Sequence, residues 1–201
     1  YVNTHFQLLR EEAIAQLRRG LQRFKDMLPE GDITKENLVH TAAAMSGGGN
    51  DRINVYLDVQ INALQDVRTG VGYEVTFVTP GRKVDWSASR RFMTGSLLVL
   101  LPLDIVAPAA ILPAKNNGKS KTEASSPKYR VGLSPEQLIL ATVVKSVDAV
   151  ALQKNKGKAP AITINVENTE EFSDSHSYVM LESPVFFDSI RPVLEALKEF
   201  S

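Results

Sequence analysis

Apolar side chains recur every three or four residues at the start of the chain, at Phe6, Leu9, Ala13, Leu17, Leu21, Phe24 and Leu28. That spacing places them on one face of an α-helix. Arg10, Glu11, Arg18, Arg19 and Lys25 fall between them and form the wet face. Thr4, followed three residues later by Gln7, has the form of a capping box, and Pro29 with Gly31 closes the run. The pattern predicts an amphipathic helix of about six or seven turns at ~3.6 residues per turn. A second, shorter helix is predicted over 35–45 with Thr34 as its cap, before Gly47, Gly48 and Gly49 break the chain.

The period then changes from helical to alternating. Ile53, Val55, Leu57, Val59 and Ile61 alternate with Asn54, Tyr56, Asp58 and Gln60, which predicts a strand with one buried and one wet face. Tyr73, Val75 and Phe77 alternate in the same way until Pro80 and Gly81 turn the chain. Short apolar runs at 97–101, 138–144, 162–166 and 178–181 are bounded by turn residues and read as further strands. Six short strands without intervening helices of crossover length predict an α+β fold built on a small antiparallel β-barrel, closed or nearly so. Residues 114–128 hold no apolar side chain larger than alanine and are expected to form a flexible loop. Ser183 and Pro184 have the form of a helix start, with Phe187, Ile190, Leu194 and Leu197 on one face and Pro192 placed to kink it. The expected division is a helix and linker over 1–50, a barrel over 51–182 and a last helix over 183–201, with the first and last helices side by side.

Composition narrows the function classes. At 201 residues the chain has the size of one domain, or one domain with a helical appendage, and 43% hydrophobic residues suffice for a core. Lys plus Arg and Asp plus Glu both number 23, so any basic site must be local. The absence of cysteine removes disulfide scaffolds, zinc ribbons and thiol nucleophiles. Neither a membrane-length apolar run nor a signal-peptide pattern is present, and an intracellular location, cytoplasmic or nuclear, is expected. The chain begins at Tyr1, inside what reads as a helix start, and is expected to be excised from something longer.

Few residues carry candidate chemistry. Gly118, Lys119 and Ser120 match the tail of a phosphate-binding loop, but the glycine five residues before Gly118 is replaced by Pro113. His5, His40 and His176 lie far apart without partners at metal-ligand spacing. Glu167, Glu170, Glu171 and Asp174 form an acidic cluster that reads as an exposed turn or short helix rather than paired catalytic carboxylates. Arg82, Lys83, Arg90 and Arg91 surround Trp86, the only tryptophan. Charge for a backbone and a ring for a base is the minimal composition of a single-strand nucleic-acid surface. It is equally that of a strand end whose tryptophan is core and whose arginines snorkel, and the sequence favours this second reading.

Four stretches carry a family resemblance: Tyr1 to Glu12, the Trp86, Ser89, Arg90, Arg91, Phe92, Gly95, Ser96, Leu97 pattern, Leu140 to Val144, and Ser177 to Leu197 with its Glu182 to Phe187 block. Together they resemble the segment before the helicase core of NF-X-type zinc-finger helicases, superfamily-1 RNA helicases associated with RNA silencing and antiviral RNA defence. The resemblance implies stalk helices and an accessory barrel, like domain 1B, seated on a RecA-like core of the same chain. It implies a non-catalytic part that guides single-stranded RNA and adjusts a motor, with no cofactor or metal of its own and ATP and magnesium needed by the parent helicase. RNA contact is expected at Lys83, Trp86, Arg90 and Arg91, and proteins of an RNA-silencing complex are the other implied partners. The chain departs from the family pattern at Pro192 and in the insertion-like stretch 114–128. The alternative expectation is a stand-alone small-barrel protein-interaction module.

Overall fold

The computed structural model describes residues 2–46, 53–68, 70–81, 83–106, 127–155, 157–167, 169 and 172–183. In chain order these form α1 (Val2–Met27), β1 (Ile33–Thr34), α2 (Lys35–Met45), β2 (Asn54–Val67), β3 (Gly70–Val78), β4 (Leu97–Val106) and β5 (Lys128–Val131). A 3-10 turn at Pro135–Gln137 follows, then β6 (Ile139–Lys145), α3 (Ala149–Lys154), β7 (Ala161–Val166) and β8 (Ser177–Glu182). β4, β6, β7, β3, β2 and β8 pair in that order, every neighbour antiparallel, and β8 pairs back onto β4, so the sheet closes. These are the six strands that the apolar patterning predicts. Closure satisfies both edges of every barrel strand with backbone hydrogen bonds.

Two apolar clusters lie on opposite sides of the barrel wall. Tyr56, Phe77, Leu98, Leu100, Ile139, Ile164, Tyr178 and Met180 fill the interior. Val55, Leu57, Leu97, Val99, Leu101, Val179 and Leu181 point the other way and are covered by Leu17 and Phe24 of α1 and Leu38, Ala42 and Met45 of α2. The strand runs at 97–101 and 178–181 are continuously apolar because both of their faces are buried.

β2 departs from its predicted single stripe. Ile53, Val55 and Leu57 belong to the outer cluster, whereas Val59 and Ile61 join the inner one with Tyr56. The cause is a bulge. The β2–β8 register shifts between Tyr56 and Val59, the β2–β3 register shifts between Leu57 and Gln60, and Asp58 adopts a φ of 50°. The extra residue inverts the alternation. Asp58 then accepts an ion pair from Lys35 Nζ at 2.8 Å, tying the start of α2 to the barrel.

The α2 cap is as expected, since Thr34 Oγ1 accepts from the Asn37 N–H at 3.3 Å. Thr4 is not a cap, because α1 already begins at Val2 and a residue with helical backbone on both sides cannot fill that role. Gly20 lets α1 lie close on the barrel: a Cβ there would stand 2.5 Å from Ile53 Cδ1 and 3.1 Å from Ile53 Cβ.

Four short elements lie outside the predicted set: β1, β5, the 3-10 turn and α3. β5 includes Lys128, the predicted end of the flexible loop, and pairs with β4 and β1, where its four-residue alternation was too brief to register as a strand. Asp32, beside β1, faces Arg130 Nε at 3.3 Å and Lys128 Nζ at 3.9 Å. α3 is capped by Asp148, which accepts from the Ala151 N–H at 2.9 Å. Residues 114–126 of the predicted loop, the Gly47–Gly49 break and the last helix beyond Ser183 lie outside the described residues, so the pairing of first and last helices does too. No helix among the described residues is long and apolar enough to cross a membrane.

Candidate nucleic-acid interface

The basic, aromatic stretch forms the connection between β3 and β4 and crosses one end of the barrel. Its path is fixed by short-range polar contacts. Asp85 Oδ1 accepts from the Ser87 N–H at 3.0 Å and from Ser87 Oγ at 2.6 Å, and these bonds hold its carboxyl below the usual range. Ser89 Oγ accepts from the Arg91 N–H at 3.2 Å. The chain then turns through Phe92 at φ 54° and Gly95 at φ 86°, and Gly95 N–H donates to Val143 O at 2.7 Å. Phe92 is wholly buried, with its ring centroid 4.5 Å from Tyr56 and 4.9 Å from Phe77. A non-glycine residue in the left-handed region is uncommon, and here it drives a ring into the barrel.

What holds Phe92 in place is Glu182 at the end of β8. One carboxylate oxygen accepts from the Phe92 N–H. The other accepts from Tyr56 Oη at 2.7 Å and Asn54 Nδ2 at 3.1 Å. Burial pushes the Glu182 carboxyl above the ordinary glutamate range, opposed by these three donors and by the charge of Arg91. Burial and the neighbouring carboxylate likewise raise the Tyr56 hydroxyl far above its ordinary value, so it remains a donor. Two of the four stretches that carry the family resemblance, around Trp86–Leu97 and Glu182, therefore meet in one buried network.

The four residues expected to contact RNA separate into three environments. Trp86 is half-buried, packed edge-on to Phe77 at 5.8 Å and stacked on Phe92 at 6.1 Å, and it also lines an open cleft. Lys83 is exposed on the same cleft. Arg90 is exposed on the same connection, outside the cleft. Arg91 is half-buried and lies against the Tyr56 hydroxyl and Glu182, close enough for its charge to act on both. One side of the Trp86 ring packs on core, as the structural reading expects, and the residue still borders solvent.

The cleft encloses about 900 Å³ between the 83–87 segment and the end of β3 on one side and α3 with residues 157–160 on the other. Lys158 on the far wall faces it together with Lys83. Sequence reasoning missed Lys158 and Glu182. The first sits in an unremarked polar turn, and the second opens a block that carries the family resemblance without any sign of its buried role. Among the described residues no three His, Cys, Asp or Glu side chains group to hold a metal. Of the histidines, His40 is exposed and His176 Nδ1 lies 3.0 Å from Ser175 Oγ, while the His5 side chain lies outside the described ones. Glu167 and Asp174 of the acidic cluster are exposed; Glu170 and Glu171 lie outside the described residues, as does Arg82.

Comparison with known proteins points to the NFX1-type zinc-finger family named by the resemblance. A family profile described as the ZNFX1 domain matches residues 48–106, from ahead of β2 to the end of β4, and so includes the whole basic connection. The chain is 25% identical over 203 residues to the NFX1-type zinc finger-containing protein 1 of Mus musculus. It is also 25% identical over 200 residues to the protein of that name from Homo sapiens. Each alignment covers 99% of this chain but only 8% of the relative's length. No solved structure gives a significant match.

Proposed function

We propose that this barrel is a non-catalytic accessory region of an NFX1-type zinc-finger helicase, where it guides single-stranded RNA and adjusts the motor. The observation that carries this reading is the placement of the basic connection. Lys83 and Trp86 border one cleft and Arg90 is exposed on the same connection, which is held at Phe92 by Glu182. A fixed cationic rim suits a phosphate backbone that must be held in register without reading its sequence. In this reading the ATP and magnesium chemistry belongs to a RecA-like core elsewhere in the same protein, and the pathway is RNA silencing. Arg91 serves the buried network, and Lys83 and Arg90 make the backbone contacts.

The test is anisotropy of a labelled single-stranded RNA titrated with the 201-residue chain. Binding is expected to weaken between about 50 and 200 mM salt, and Lys83→Glu with Arg90→Glu should flatten the log–log slope by about one to two. No binding at low salt by a folded chain contradicts the proposal. The rival, a protein-interaction module, draws on Leu64 and Val71, which are 66% and 59% exposed on the β2–β3 hairpin beyond the closed part of the barrel. Capture of a silencing-complex protein lost on Leu64→Ser, without RNA binding, selects that rival.

A further inference from the structure

The cleft beside Trp86 has the composition of a small-ligand site rather than of a gap between loops. Its floor is aromatic, with Phe77 and Trp86 in edge-to-face contact, and Val84 and Leu152 add apolar surface from opposite walls. Its charges are Lys83 on one wall and Lys158 on the other, against a single acid, Asp85, whose carboxylate is already engaged by Ser87. A volume of about 900 Å³ falls within the ~300 to 1,000 Å³ typical of ligand pockets. The ring of Trp86 is also prepositioned. Stacking on Phe92, itself held by Glu182, fixes its plane before any ligand arrives, so little side-chain entropy remains to be lost on binding.

We propose that this cleft is a nucleobase subsite for single-stranded RNA, in which one unstacked base packs against Trp86 while the flanking phosphates rest on Lys83 and Lys158. The inference rests on the RNA-guiding reading and adds to it a base contact and a residue, Lys158, from the opposite wall. A ring stacks on any base, so the subsite holds RNA without sequence preference, and it distinguishes a strand with accessible bases from a duplex, whose bases are already stacked. Asp85 is the one acid lining the cleft among the described residues, and the two hydrogen bonds that its carboxylate accepts from Ser87 offset part of its repulsion of a phosphate, leaving Lys83 and Lys158 as the net charge.

Because Trp86 is the only tryptophan, its fluorescence reports the subsite directly. A short oligouridylate is expected to quench it, whereas an abasic oligoribonucleotide of the same length binds by anisotropy without quenching. Trp86→Leu should weaken the oligouridylate by about 5- to 100-fold and leave the abasic strand unchanged, while Lys158→Glu weakens both. Should Trp86→Leu not fold, the quench in the parent chain and the surface variant Lys158→Glu decide the matter alone. Anisotropy showing tight oligouridylate binding with neither quench nor Lys158 dependence overturns the subsite but leaves the RNA-guiding reading intact. Absence of all RNA binding at low salt removes both, and quenching by a peptide but not by RNA assigns the cleft to a protein partner.

Discussion

A carboxylate buried to 3% exposure inside a barrel needs donors, and Glu182 has three of them from two other parts of the chain. Replacing it by alanine would leave the Phe92 N–H, the Tyr56 hydroxyl and the Asn54 amide unpaired in an apolar interior. Chemical denaturation of Glu182→Ala should show a loss of about 3 to 5 kcal/mol. Glu182→Gln keeps an acceptor for Phe92, and its amide gains a partner if the Asn54 amide turns over, since Asn54 Oδ1 has no hydrogen-bond partner in the native network. The pH dependence separates the two forms. The folded-state pKa of Glu182 is raised, so its contribution to stability is full below the unfolded value of about 4.3 and is lost as pH rises through the folded value. The glutamine variant should therefore gain on the parent chain as pH is raised from the ordinary glutamate range towards neutrality. Urea titrations showing a constant difference across that range would mean that the carboxyl is not held in an apolar site. None of this was legible in the sequence beyond an acid at the end of an apolar strand, because its donors come from positions far away along the chain.

At the scale of elements, what periodicity could read depended on whether the partner surface was local. The capping of α2 by Thr34 needs only three residues and was read correctly. The single stripe predicted for β2 failed at Asp58, because a bulge is set by the registers of two neighbouring strands, which alternation alone cannot see. Thr4 was misplaced for a related reason, since a capping motif does not reveal that the helix already runs through it. The apolar stripe of α1 was legible, but its partner was not. Leu17 and Phe24 rest on the outer wall of the barrel beside α2. Leu17→Ala should accordingly cost about 2 to 5 kcal/mol. Gly20→Ala sets a gain of ~1 kcal/mol in helix propensity against an overpacking cost of about 1 to 3 kcal/mol where Ile53 stands too close. A net loss in thermal or urea unfolding is expected, and a clear gain would show that α1 does not lie on Ile53 in solution.

For the whole molecule, the closed barrel was the most legible feature, because six short runs without crossover helices leave few other ways to bury their faces. Two of those runs are apolar on both faces because α1 and α2 supply a second layer over the barrel wall, which the strand pattern alone did not predict. The site was legible only in outline. The sequence marked the cluster around Trp86, but folding turned Arg91 inward, left Arg90 on the surface and brought Lys158 across from a distant turn. Under the proposed function, RNA lies over this end of the barrel. Photocrosslinking the 201-residue chain to single-stranded RNA carrying 4-thiouridine, followed by peptide mapping, tests it most directly. Adducts are expected in the 77–92 connection and the 149–160 wall, and adducts confined to α1, α2 or the β2–β3 hairpin, or none at all, would contradict it.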